Sequence, residues 1–200
     1  ADLMIDSWHL VTGVSSNQPH GDPTDFADLL QVQNPLQDSH TGMVGDSFAT
    51  ASYDIAWLLD EAHFDIITTH HLLQLDGQTI TEGRIFLTPS VDSLVTFSGN
   101  WQYAWPSTAV GTALIGISVL DTTDPDNQVL IAGRSTSGGN FPFGQPFGSL
   151  SIADNGIIQA DHVYELSYLA QVYHYDPTPP GTFGEASGDF HFTITPIPEP

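Results

Sequence analysis

Short runs rich in Val, Ile, Thr, Phe, Tyr and Trp recur along this chain, each closed by Gly, Pro, Asn or Asp within about a dozen residues. That rhythm leaves little room for a helix of ordinary length. Ala62-His63-Phe64-Asp65-Ile66 alternates with a period of two, so Phe64 and Ile66 are expected in a core and His63 and Asp65 outside it. Asp76-Gly77 is a hairpin signal between 70–75 and 79–87. Ser98-Gly99-Asn100 reads as a turn between 93–97 and 101–105, and the acidic stretch 121–127 as a loop between 113–120 and 128–132. Val163 to Tyr175 is a strong strand and Phe190 to Thr195 the last one. The polar, Pro-containing segment 15–46 reads as a long loop excursion, with a short helix over 25–32. The expected fold is all-β: a single antiparallel β-sandwich or jelly-roll domain over 1–195, with long loops.

The opening segment makes its own demand. Leu3, Ile5 and Ser7 are read on one side of a first strand, Met4 and Trp8 on the other, which makes it apolar on both faces. Such a strand must be buried in its own sheet or given to a neighbouring copy by strand addition. Donation to a neighbour in a head-to-tail contact that does not close would build filaments.

Charge excludes some functions. Asp and Glu number 24 against two Arg (Arg84 and Arg134) and no Lys, for a formal net charge of -22. A chain of that charge repels phosphate backbones, so no nucleic-acid partner is expected. It contains no run of about 18 apolar residues, so no membrane span is expected in this sequence. There is no Cys, which removes disulfides and thiolate metal sites. Ala1-Asp2-Leu3 fits either the residue left by cleavage of a leader at a small-residue site or a boundary set by truncation.

Calcium is the expected cofactor, if one is bound, because it takes several carboxylate and carbonyl oxygens. Asp121, Asp124, Asp126 and Asn127 fall close together in one loop; Asp22 and Asp25 form a weaker pair. His70 and His71 are adjacent, so on a strand they point to opposite faces and cannot chelate one ion together. Gly45-Asp46-Ser47, with Asp60-Glu61-Ala62-His63 after it, echoes the spelling of an α/β esterase nucleophile block, but its order does not fit that family. No catalytic residue is assigned. Trp101, Tyr103 and Trp105 alternate and share one sheet face; exposed they form a stacking platform for sugars, buried they are core.

After the strand-like 189–195 the chain reads Pro196-Ile197-Pro198-Glu199-Pro200. Pro198-Glu199-Pro200 resembles the start of the PEP-CTERM sorting signal of exported bacterial proteins, in which Pro-Glu-Pro precedes a membrane helix and a basic tail and an exosortase-type enzyme processes the signal. Gly83-Arg84-Ile85-Phe86-Leu87-Thr88-Pro89 followed by Val95-Thr96-Phe97-Ser98-Gly99 is similar to sandwich ectodomains of that group, as is Tyr164-Glu165-Leu166-Ser167-Tyr168 followed by Gly188-Asp189-Phe190. The resemblance implies that 196–200 is the remnant of a truncated or processed signal, and that the address is the bacterial cell surface or extracellular matrix. It implies no reaction. It extends over about 47–200; the first 46 residues match no family.

Three functions fit these observations. The leading one is a non-enzymatic extracellular or cell-surface matrix protein, self-assembling into filaments or other homo-oligomers through Leu3, Met4, Ile5 and Trp8. The second is a carbohydrate-binding module of an extracellular polysaccharide matrix, using Trp101, Tyr103 and Trp105. The third is a glycan-active hydrolase, for which Glu61, Glu82 and Glu165 are the carboxylates outside turns.

Overall fold

The computed structural model describes residues 3–16, 24–59, 61–73, 77–104, 111–123, 129–139, 147–174 and 183–198. These hold β1 (Met4–Ser16), β2 (Thr24–Leu29), β3 (Leu36–Val44), β4 (Ser47–Leu58), β5 (Glu61–Leu73) and β6 (Gly77–Thr88). They continue with β7 (Ser93–Ala104), β8 (Gly111–Asp121), β9 (Val129–Gly139), β10 (Phe147–Ile158), β11 (Tyr164–His174) and β12 (Phe183–Pro196). Sheet A has the order β2-β1-β6-β11-β8-β9 and sheet B the order β10-β7-β12-β5-β4-β3, every pairing antiparallel. The fold is an antiparallel β-sandwich, as the strand rhythm requires.

Period-two burial builds the core. Along β4 to β7 buried residues alternate with exposed or half-exposed ones. Phe64, Ile66, Phe190, Phe192 and Phe97 of sheet B meet Trp8, Ile85, Leu87, Leu166 and Val119 of sheet A in one cluster. Toward the other end the inward residues become small or polar: Ala49, Ala51, Ala113, Ala170 and Ala186, with Thr12, Thr68, His70, Thr79 and Thr81, all buried. Two hydrogen bonds cross between the sheets there, Thr12 Oγ1 to Tyr53 OH at 3.1 Å and His70 Nδ1 to Thr79 Oγ1 at 3.1 Å.

β1 settles the fate of the first strand. It pairs with β6 from Met4 to Ser16 and with β2 from Leu10 to Ser15, so it is built into its own sheet. Donation of this strand to a neighbour, the assembly route read from Leu3, Met4, Ile5 and Trp8, is corrected accordingly. The expected two-faced apolar pattern is corrected too. Ile5 pairs with Leu87 and Ser7 with Phe86, which leaves Asp6 as the extra residue of a β-bulge. The bulge flips the parity. Leu3 and Trp8 are both buried in the same core, while Met4 is 56% exposed. Thr88 Oγ1 donates to Asp6 Oδ2 at 2.9 Å and pins the bulge.

The 15–46 excursion is also corrected. It contains the end of β1, then β2 and β3, and no helix among its described residues. β2 and β3 are edge strands with mostly exposed side chains, so ladder bonds rather than burial hold them and no hydrophobic period marks them. The sheets converge where these edges meet. A Cβ on Gly42 would lie 2.5 Å from the Asp25 carbonyl oxygen and 2.6 Å from Gly13 Cα, so only glycine permits the approach. Asp25 Oδ2 accepts the Met43 N–H at 2.8 Å across the same seam. The expected hairpin at Asp76-Gly77 is not a sheet pairing: β5 and β6 belong to opposite sheets. The expected turn at Ser98-Gly99-Asn100 is the middle of β7, where Gly99 makes room for the Phe190 ring, 3.1 Å from where a Cβ would stand. β12 continues to Pro196, opposite Ser93, one residue past the expected boundary.

Candidate functional site

The outward face of sheet B presents a broad polar surface. Strand register arranges it in rows that cross the sheet. One row runs Thr41, Thr50, Thr69, Ser187, Gln102, Ser149; the next runs Ser39, Ser52, Ile67, Asp189, Asn100, Ser151. A third runs Gln37, Asp54, Asp65, His191, Ser98. Hydroxyls bond along the rows, as at Thr41 Oγ1 to Thr50 Oγ1 (3.0 Å) and Ser52 Oγ to Ser39 Oγ (3.3 Å). These side chains come from different strands and meet only because antiparallel pairing stacks outward positions side by side.

Carboxylates on this face are tied to imidazoles and amides. His191 Nδ1 lies 2.6 Å from Asp65 Oδ1, and its Nε2 lies 3.5 Å from Asp189 Oδ1. Asn100 donates to Asp189 at 3.4 Å and Gln37 to Asp54 at 3.4 Å. His63 Nε2 stands 3.9 Å from Asp54. The habit extends over the molecule. Of the seven histidines whose side chains are described, six (His9, His40, His63, His71, His162, His191) lie within 3.9 Å of a carboxylate. With no Lys in the chain, imidazole takes the place beside carboxylates that Lys usually fills. The Ser39 N–H, followed by His40, holds the Asp38 carboxyl below the usual range.

At one end of the same face is a shallow cleft of about 370 Å³. The Phe48 and His71 rings stack at one side of it, centroids 5.4 Å apart and planes 15° from parallel. His71 Nδ1 lies 3.1 Å from Glu185 Oε1. Thr69, Ser187 and Gln102 supply hydroxyl and amide groups, and Ala104 a small apolar side chain. The wider concavity on sheet A, about 450 Å³, is lined by Arg84, Glu82, His9, Ser118 and Ser167. There Arg84 Nε faces Glu165 Oε1 at 3.7 Å.

The sugar platform expected from the aromatic alternation is corrected. Trp101 is 1% and Tyr103 8% exposed, both facing the sandwich interior, where the Trp101 ring sits 5.2 Å from that of His70. They are core residues because β7 lies inside sheet B and its odd-numbered positions point inward. Trp105 lies outside the described residues. Of the calcium loop, Asp121 is buried, with Oδ1 accepting the Thr123 N–H at 2.9 Å and Oδ2 lying 2.8 Å from His162 Nδ1. Asp124, Asp126 and Asn127 lie outside the described residues, and no group of three His, Asp or Glu among the described ones is placed to hold a metal. Asp22 lies outside too, and Asp25 is the seam residue described above. Pro198 is exposed; Glu199 and Pro200 lie outside the described residues.

His70 and His71 do point to opposite faces. Burial pushes His70 down to about 3, against the partly compensating contact with Thr79. Burial likewise drives the Tyr168 hydroxyl well above its ordinary value and raises Tyr53. Ser47 is buried, and its Oγ donates to the Leu73 carbonyl at 3.1 Å and accepts the Leu73 N–H at 2.9 Å, tying the start of β4 to the end of β5. Glu61 is exposed at the end of β5 in sheet B, whereas Glu82 and Glu165 belong to sheet A, opposite Leu169 and Phe86 respectively. The three are not brought together. Except for His40 and Asp38, two positions apart on β3, the histidine–carboxylate pairs and the cleft join separate elements, up to 126 positions apart, and so were not visible in sequence.

No family model and no curated protein matches the chain. Among solved structures it is similar to Eiger TNF from S. frugiperda, at 9% identity over 57% of this chain and 68% of that one, with a TM-score of 0.30. It is similar to the K1 cleaved adhesin domain of Lys-gingipain from Porphyromonas gingivalis W83, at 13% identity over 66% and 75%, TM-score 0.29. A third likeness is to infectious bursal disease virus, Gx strain, at 11% identity over 95% of this chain and 52% of that one, TM-score 0.32. These likenesses are too slight to bear on function.

Proposed function

We propose that the chain is a non-enzymatic extracellular or cell-surface matrix protein of a bacterium, whose working surface is the outward face of sheet B. The observation that carries this is the composition of that face: six strands wide, built of hydroxyls, amides and histidine-tied carboxylates. Such a surface makes many weak polar contacts with hydrated partners. Its carboxylates are engaged with imidazoles and amides, which suits display rather than the opposed pair of a glycosidase. Filament growth by donation of β1 forms no part of the reading, since that strand is internal to sheet A. The address rests on the Pro198-Glu199-Pro200 resemblance.

The test has two arms. Immunogold labelling of the producing cells is expected to place the protein at the surface or in the matrix. Incubation of the purified chain with matrix polysaccharide is expected to release no new reducing ends. Label confined to the cytoplasm, or steady release of reducing ends, would overturn it.

A further inference from the structure

The cleft formed by Phe48, His71, Glu185, Thr69, Ser187 and Gln102 has a composition that the rest of the sheet B face lacks. The three rows described above carry no Phe, Tyr or Trp; here a Phe–His pair borders a carboxylate, an amide and two hydroxyls. Register explains how they meet. Phe48 pairs with His71 and His71 with Glu185 in one row, while Thr69, Ser187 and Gln102 fill the adjoining row on the same strands. Tall side chains in the first row beside short ones in the second leave the hollow, and Ala104 opens its far end.

From these groups we infer that the cleft binds a neutral oligosaccharide. A pyranose has an apolar C–H surface and a rim of vicinal hydroxyls. The apolar surface suits contact with the Phe48 ring and the Ala104 methyl. The rim suits Glu185, an acceptor, and Gln102, which both donates and accepts, with Thr69 and Ser187 hydroxyls able to do either. The His71 contact at 3.1 Å orients the Glu185 carboxylate toward the cleft's edge. A volume of about 370 Å³ lies toward the small end of the range for ligand pockets, suited to one or two sugar rings of a longer chain passing over the face. An anionic sugar is disfavoured by Glu185 and by the net charge of -22.

The inference rests on the surface-protein reading and supplies its ligand class. It also relocates sugar binding, from Trp101 and Tyr103, which are core, to a site on the opposite side of the same sheet.

The experiment is a titration of the isotope-labelled chain with cellohexaose, maltohexaose and xylohexaose, followed by NMR, with hexagalacturonate as the anionic comparison. At least one neutral hexasaccharide is expected to bind with millimolar or tighter affinity and to shift Phe48, His71, Gln102 and Ser187 resonances. Gln102→Ala and Glu185→Ala are expected to weaken it at least tenfold. Both residues are exposed, so the variants fold; Asn155→Ala, far along the same face, is expected to leave binding unchanged. Failure of all three neutral sugars, shifts centred away from the cleft, or equal binding of hexagalacturonate would overturn the inference. Mass spectrometry of the recovered sugar keeps the two readings apart. A shortened sugar bound at the cleft upholds the site and sinks the non-enzymatic reading; an intact sugar that does not bind sinks only the site.

Discussion

His70 makes stability depend on pH in a way that can be isolated. The ring is 1% exposed, bonded through Nδ1 to Thr79 and set against Trp101, and burial lowers it to about 3. In the unfolded chain an imidazole returns to about 6.5. The folded-state value is therefore depressed. Between these values the unfolded chain binds a proton that the folded chain refuses, so stability falls as pH drops below about 6.5. The contribution is fully present above that point. From linkage, the loss amounts to roughly 1 kcal/mol at pH 6 and about 3 kcal/mol at pH 4.5, both relative to pH 7.5. Other groups titrate over the same range, since 24 carboxylates repel one another less as they protonate. The comparison that separates them is the wild type against His70→Gln, which keeps a polar group near Thr79 and does not titrate. Urea unfolding at pH 7.5, 6 and 4.5 gives the two curves. The stability difference between wild type and variant is expected to shift by about 3 kcal/mol in the variant's favour between the first and last pH. Parallel curves would show that His70 accepts a proton without cost in the fold, and the burial argument would fail.

Three further outcomes follow from the packing. Trp101→Ala is expected to cost about 3–5 kcal/mol of stability by urea unfolding, as for other buried Trp, whereas a residue serving an exposed platform would cost little. Gly42→Ala places a methyl against backbone atoms of β1 and β2 that cannot step aside; a loss of about 1–3 kcal/mol is expected, and an unchanged urea midpoint would refute the seam. Deleting residues 2–11 is expected to give an unfolded product by circular dichroism, because β1 is the partner of both β2 and β6.

The fold class was legible because burial on one side of a sheet leaves a period of two, and β4, β5 and β7 carry it openly in Tyr53-Asp54-Ile55, Phe64-Asp65-Ile66 and Trp101-Gln102-Tyr103. β2 and β3 were not legible, since edge strands bury little and their residues answer to solvent. Glycine misled in one specific way. Gly99 reads as a turn, yet it lies mid-strand because a ring from β12 occupies the space of its side chain. Asp6 misled by parity: one bulged residue exchanged the faces of everything before it in β1. The buried aromatic row was legible as a row, but not its direction, since the alternation of Trp101 and Tyr103 is the same whether the face is core or solvent. The cleft and the imidazole–carboxylate pairs depend on which strands become neighbours. Strand order in two sheets with crossovers between them is set by global packing, and no local pattern reports it.

The surface histidines bear on how so acidic a chain stays compact. Self-repulsion among like charges opposes folding, and opposed like charges on neighbouring strands are unfavourable. Asp54 and Asp65 are such a pair, directly opposite each other on β4 and β5. Each has its own partner: Asp65 is held by His191 at 2.6 Å, while Gln37 and His63 approach Asp54. Asp189 takes its hydrogen bond from Asn100, since a neutral His191 that donates to Asp65 through Nδ1 has no second N–H to give. An amide or a neutral imidazole N–H hydrogen-bonds a carboxylate without requiring a full positive charge, so the pairing works at a pH where histidine is uncharged. A Lys would satisfy the same carboxylates by charge and reduce the net negative charge of the face. Amide and imidazole satisfy them by hydrogen bonding and leave the face anionic. The face therefore remains hydrated and repels anionic polymers while its carboxylates are held in fixed positions, which suits recognition of an uncharged, hydroxyl-rich partner better than association with an anionic one.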